Sequence, residues 1–323
     1  MGRPILNGTA GQAYTHMTDY IFRRLLRSIP VVILVSILVF SMIEMLPGDP
    51  VMHMFAGQFV SAENMALARE TLGLDQPAHI RYFAWVGRLL QGDLGNSIVS
   101  QRPVAEMIGS VLPRTIELAL AAMAVTIVFG IALGIIAAIR QNTWIDSAVM
   151  VIASLGVAMP LFWGGLLAIL YFSVELKWFP VAQSAGWRSL ILPAVVLGLQ
   201  SACMVARLTR SSMLQVLRED YVTTARAKGV LEPQVVLTHS LRNAFIPVFT
   251  LLGVQTSWLL GGAVITETVF ARPGLGTMAV DAIRQMDFPV LQAIVLISAL
   301  IYTSVNLLVD IANAYLDPRI AYD

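Results

Sequence analysis

The charged residues of this chain that could engage a partner are concentrated in one stretch, Arg207 to Arg242. It holds Arg207, Arg210, Arg218, Arg226, Lys228 and Arg242 against Glu219, Asp220 and Glu232. Cations at this density serve ion pairing, with carboxylates or with lipid phosphates. Inside the stretch, Asp220-Tyr-Val-Thr-Thr-Ala-Arg-Ala-Lys-Gly229 has a helix start and a helix stop. Asp220 can cap the first free N–H groups, and Gly229 can take the left-handed turn that ends a helix. Tyr221, Val222 and Ala225 fall within about 100° of one another on a helical wheel, while Thr223 and Ala227 make the opposite side small. Such a helix can rest on a floor with Tyr221 inward and enter a groove with its small side. Arg226 and Lys228 are then placed to pair with acids on a partner or with lipid phosphates. The competing reading is an amphipathic helix lying on the bilayer, where Glu219 and Asp220 would face anionic lipid.

Other chemistry lacks its residues. A phosphate-cradling loop needs Gly-x-x-x-x-Gly-Lys-Ser/Thr, and the two lysines, Lys177 and Lys228, do not follow glycines. The four histidines, His16, His53, His79 and His239, lie outside the apolar runs with no metal-ligand spacing. The single cysteine, Cys203, can form no internal disulfide. No pair of acids inside the runs suggests a proton relay or a protease. A net charge of +1 gives no case for nucleic acid. The runs do hold uncharged polar side chains, among them Gln200, Gln255 and Asn306. These read two ways, as hydrogen bonds between helices or as the lining of a wet path.

The elements that must position these groups are membrane helices. The chain is 57% hydrophobic and 13% charged, where soluble domains carry roughly 25% charged residues. Uncharged runs of near-spanning length occur at Ser28–Ile43, Leu118–Ile139, Ser147–Val174, Ser189–Ala206, Asn243–Thr266 and Phe288–Val309. The third is long enough to bend at Pro160, and Gly130-Ile-Ala-Leu-Gly134 predicts close helix packing. With the N-terminus cytoplasmic, the inner segments hold twelve Lys/Arg and the two short outer loops hold four. The positive-inside rule then puts both termini and the basic stretch in the cytoplasm. The resulting division is a cytoplasmic tail at 1–20, a first span at 21–46 and an extracytoplasmic subdomain at 47–114. A core of five spans follows at 115–317, containing the cytoplasmic loop 207–242, and a cytoplasmic tail ends the chain at 318–323. Within the subdomain, helical spacing predicts short helices at Ala62–Leu72 and Ile80–Leu90. Asp281, Arg284 and Asp287 sit in the last outer loop, either as docking contacts or as solvated loop charges.

Six segments in order resemble a known family. They are Leu-Pro-Gly-Asp-Pro at 46–50, Leu-Gly-Leu-Asp-Gln-Pro at 72–77, Gly-Asp-Leu-Gly-Asn-Ser at 92–97, Asp220–Gly229, Leu241-Arg-Asn-Ala-Phe-Ile-Pro247 and Glu267-Thr-Val-Phe-Ala-Arg-Pro-Gly-Leu-Gly276. Across about Asp19 to Ala321 the chain resembles permease subunits of bacterial ATP-binding-cassette importers, in the dipeptide, oligopeptide and nickel branch. It looks most like the dipeptide and glutathione permeases. Thr223–Gly229 stands at the family's "EAA…G" signature, with Thr223-Thr224-Ala225 in place of Glu-Ala-Ala. The resemblance implies an all-helical, six-span type I importer fold in the inner membrane. It implies that Tyr221 to Gly229 dock into a cytoplasmic ATPase. It also implies a second, similar permease, two ATPase subunits that bind ATP and Mg, and an extracytoplasmic solute-binding protein. No cofactor or metal is expected in this chain. The expected substrates are short peptides, with nickel or another small solute as the alternative. A gradient-driven transporter would need an intramembrane acid or a midplane site in broken helices.

Overall fold

The structure, a computed structural model, describes residues 9–45, 76–180 and 186–316. The expected helix Ala62–Leu72 lies outside these residues. Helix α1 runs Thr9–Met45, α2 Ala78–Leu90, α3 Val104–Ile139 and α4 Trp144–Ala158. Helix α5, Leu161–Ala168, continues as a wide π-helical segment, Ile169–Glu175. Helix α6 is Arg188–Val216 and α7 is Asp220–Ala227. A short turn at Glu232–Gln234 and a second π segment, Val235–Ser240, lead into α8, Leu241–Val269. Helices α9, Leu275–Arg284, and α10, Phe288–Leu316, follow.

Five helices cross a membrane by length and composition: α1 over Phe22–Ser41, α3, α6, α8, and α10 over Phe288–Asn313. The sixth expected span is α4 plus α5, bent by 107° at Met159–Pro160. Proline supplies no N–H and pushes the preceding residue to extended backbone. Met159 accordingly has ψ 125° and Pro160 ψ 134°. Two extended residues in succession make a break rather than the simple bend expected. The pair's partners along α6 nevertheless follow one another in reverse order. Asp146 meets Arg210, Gly156 meets Cys203, Met159 meets Gln200, and Ala168 packs with Leu192.

Several helices extend beyond the expected spans. Helix α1 starts at Thr9, inside the expected tail. Helix α3 has 36 residues and starts at Val104, inside the expected subdomain. At 1.5 Å per residue it is about 54 Å long, against a hydrocarbon core of about 30 Å. Its first turns therefore project beyond the bilayer. Helix α6 runs ten residues past the expected Ala206, so the stretch 207–242 is largely helical.

The centre of the molecule is the α3–α6 pair. A Cβ on Gly134 would lie 2.5 Å from Thr209 Cβ, and one on Gly130 2.7 Å from Val205 Cβ. The close packing expected of Gly130 and Gly134 is present. Thr126 Oγ1 donates across the contact to the Gly198 carbonyl at 3.0 Å. Lipid tails are as apolar as leucine, so such close approach and hydrogen bonding hold the pair together. Helix α8 packs on this pair, α10 on α8, and α1 on α10, where Arg24 pairs with Asp310.

Candidate functional site

Helix α7 forms at one end of the bundle. Its N-cap is Glu219, extended at ψ 146°, and no side chain caps the helix. Asp220, expected as the cap, is instead the first helical residue, where its charge still suits the helix dipole. The stop is as expected. Gly229 has φ +80°. Val230 N–H donates to the Ala225 carbonyl at 3.2 Å and Gly229 N–H to that of Arg226 at 2.9 Å, the paired bonds of a Schellman turn.

The helix has one seated side. Val222 is fully buried and Ala225 half-buried, while Thr223, Thr224, Arg226, Ala227, Lys228 and Gly229 are exposed. Tyr221 is less inward than expected. It is 41% exposed, and its hydroxyl accepts from Asn243 Nδ2 at 2.7 Å. Arg226 does not reach outward for an acid. It forks onto Glu232 of its own chain at 3.1 and 2.7 Å. The guanidinium holds the Glu232 carboxyl below its usual range. On the same side of the bundle, Ala138, Met213, Val236 and Ala244 form a small core joining the ends of α3, α6 and α8. Helix α7 packs on the Val235–Ser240 segment that contributes Val236. Arg210 of α6 forks onto the buried Asp146 of α4 at 2.5 and 2.7 Å. That pair was missed in the sequence, where the two residues stand 64 positions apart.

At the opposite end, a glycine-rich turn closes over a carboxylate. Glu267 is fully buried at the end of α8. It accepts from Thr115 Oγ1 and from Gly276 N–H, each at 2.7 Å. Thr115 in turn accepts from Leu275 N–H at 2.8 Å. A Cβ on Gly274 would lie 2.1 Å from the Glu267 carboxyl carbon. The segment Glu267–Gly276 is thus the anchor of α9, with the Glu267 carboxyl group at the helix N-terminus where the free N–H groups point.

Asp287 is not the solvated loop charge of the second reading. It is 4% exposed, and its carboxylate accepts from Ser97 Oγ at 2.5 Å and Ile98 N–H at 3.1 Å. It ties the segment Gly92–Ser97 to the start of α10 and lies at the cleft that Asp281 also lines. Asp281 and Arg284 are exposed as a docking role requires. Asp281 lines a cleft of about 320 Å³ between loop 97–102, the first turns of α3, and α9.

The three path candidates have interhelical partners. Gln255 is 4% exposed, accepts from Ser201 Oγ at 3.1 Å and donates to Met204 Sδ at 3.1 Å. Asn306 accepts from Ser257 Oγ at 2.6 Å. Gln200 donates to the Met159 carbonyl that the helix break leaves free, at 3.0 Å, and its Oε1 is buried without a partner. Gln200 and Asn306 are half-buried.

Residues 130–322 match the family described as binding-protein-dependent transport system inner membrane component. Residues 17–119 match the N-terminal part of such membrane components. The glutathione transport system permease proteins GsiC of Escherichia coli K12 and Salmonella typhi are each 45% identical to the chain. Both matches run over 306 residues, 95% of this chain and 100% of theirs. A chain of the MetNI methionine ABC transporter, in inward-facing conformations, matches the fold with a TM-score of 0.55 at 14% identity. That match covers 65% of this chain and 96% of that one. The fold is the type I importer permease fold.

Proposed function

The chain belongs to the inner membrane components of binding-protein-dependent transport systems, and from that premise we propose that it imports short peptides, glutathione among them. It is a multi-pass inner-membrane transport component rather than an enzyme. The observation that carries the substrate reading is the 45% identity to whole glutathione permeases over 95% of this chain. The interior chemistry supports it. The half-buried amides of Gln200 and Asn306 can pass peptide ends and amides without a fixed charge that would hold one terminus. Nickel favours imidazole, thiolate or carboxylate ligands, and the central polar groups are amides and hydroxyls.

In this reading both termini are cytoplasmic, and α7 enters a cleft of a separate ATPase with Thr223, Thr224, Ala227 and Lys228 outward. ATP and Mg reside in two such subunits. Val222 and the apolar cluster beside the Val235–Ser240 segment then pass ATPase motion to the ends of α3, α6 and α8. A second, similar permease completes the path. An extracytoplasmic binding protein delivers the substrate at the face carrying Asp281 and Arg284. The test is uptake of labelled glutathione, dipeptide and nickel in cells expressing the complete importer. Glutathione or dipeptide uptake that disappears with the permease is expected. Permease-dependent nickel uptake without peptide uptake overturns the substrate. Peptide uptake driven by a proton gradient alone, without an ATPase, overturns the class.

A further inference from the structure

The rest of the described chain leaves helix α2 without a core. None of its 13 residues is buried, and Phe83 and Leu90 are 70% and 84% exposed. Among the described side chains it meets α1 at one place. Tyr82 Oη and Ser36 Oγ share a hydrogen bond at 2.7 Å. The Tyr82 and Trp85 rings lie 5.5 and 6.0 Å from the Phe40 ring, and the Arg81 guanidinium sits 5.9 Å above it. Positions 81, 82 and 85 thus converge on Ser36 and Phe40, about one turn of α1. Helices lying side by side would share several turns, so these two cross. Helix α1 spans the membrane over Phe22–Ser41. A helix crossing it at Ser36–Phe40 lies across the membrane normal, at the depth where the span emerges.

The side chains suit that depth. Tyr and Trp concentrate where hydrocarbon gives way to headgroups. Phe83, Val86 and Leu90 fall within about 60° of one another on the helical wheel, and Arg81 and Arg88 sit together roughly opposite Phe83. The helix carries His79, Arg81 and Arg88 and no acid. On the adjoining turns of α1, Leu34, Ile37 and Leu38 are exposed as well. An apolar face level with a membrane span, opposed by arginines, matches a phospholipid: acyl chains on one side, phosphate on the other.

We propose that α2 is an interfacial helix that binds phospholipid in the leaflet where α1 emerges, with Phe83 and Leu90 among acyl chains and Arg88 at a phosphate. It holds at a fixed height the loop 91–103 that brings Ser97 to Asp287. The test uses the complete importer in phosphatidylcholine bilayers with and without phosphatidylglycerol. A spin label is placed at Phe83→Cys or Arg88→Cys in a Cys203→Ala background. Collisions with oxygen, which concentrates in lipid, are compared with collisions with a water-soluble neutral nickel chelate. Oxygen should dominate at position 83 and the chelate at position 88. With phosphatidylglycerol present, Arg88→Glu should raise chelate access at position 83 at least twofold. Chelate-dominated access at position 83 overturns the proposal, because that face is then in water. A label shielded from both reagents also overturns it, because protein then covers the face, either residues 46–75 or a bound partner. No response to Arg88→Glu removes the phosphate contact.

Discussion

Substitution of Gly229 separates backbone conformation from steric fit at the end of α7. An added Cβ at Gly229 would meet nothing within 4 Å in this chain, and the residue sits at φ +80°. Within the chain, therefore, the cost of a side chain comes from the backbone rather than from crowding. The left-handed region costs an ordinary L-residue about 1–2 kcal/mol, and it is a genuine outlier for a β-branched one. Asn visits it readily and serves as the second choice at this helix position. Since 1.4 kcal/mol is about a tenfold change, Gly229→Ala should shift the balance between terminated and frayed helix by about 5–30-fold. Gly229→Asn should shift it far less and Gly229→Val more. The readout is substrate-stimulated ATP hydrolysis by the reconstituted importer at matched permease levels, with amide exchange of residues 225–230 as the local measure. The expected order of activity is Gly, Asn, Ala, Val. If Gly229→Asn inserts normally, keeps its slow amide exchange and is as inactive as Gly229→Val, the reasoning fails. Side-chain volume against the ATPase, and not φ, would then be the reason for glycine.

Three further outcomes follow from the same geometry. Asp287→Ala removes the acceptor of Ser97 Oγ and Ile98 N–H, and bonds to a charged group contribute about 1.5–3 kcal/mol each. The variant should lose thermal stability clearly, and Asp281→Ala, which is exposed, should not; equal losses in a melting assay would contradict the burial described here. Gly134→Leu should impair folding of the membrane domain, because its Cβ meets Thr209 at 2.5 Å and the Ala206 carbonyl at 2.7 Å, whereas Gly261→Ala meets nothing within 4 Å and should melt like the parent. The Arg226–Glu232 pair sets a pH dependence. A carboxyl held low in the folded state adds stability that is present above its unfolded value, about 4.3, and is lost as pH falls through the folded value. The pair is exposed and so contributes no more than about 1 kcal/mol. The protection factors of the α7 amides, taken relative to intrinsic exchange at each pH, should therefore be insensitive to this pair from pH 8 to 5 and fall modestly in stronger acid, with no such step in Glu232→Gln.

What could be read from the sequence was what local physics decides. An apolar run needs no partner to be recognised as a span, Pro160 marks a place where the helix can break, and Gly229 ends one through its own φ. Even here the register slipped by one residue at Glu219, because an extended Glu and a helical Asp220 cannot be told apart by composition. What stayed hidden was the direction in which each charge faces. Asp287 and Ser97 are 190 residues apart, Glu267 and Thr115 are 152 apart, and each acid read alone passes for a solvated loop charge. The family segments were visible as strings, yet their purpose depends on these distant partners. Glu267–Gly276 wraps a buried carboxylate, and Gly92–Ser97 delivers a hydroxyl to another. Both buried acids on the cleft-bearing side are satisfied by hydroxyl and backbone donors within the chain. The α7 side instead leaves most of the short helix exposed, seated through Val222. That asymmetry fits the proposal that a binding protein meets the cleft-bearing end and an ATPase the α7 end.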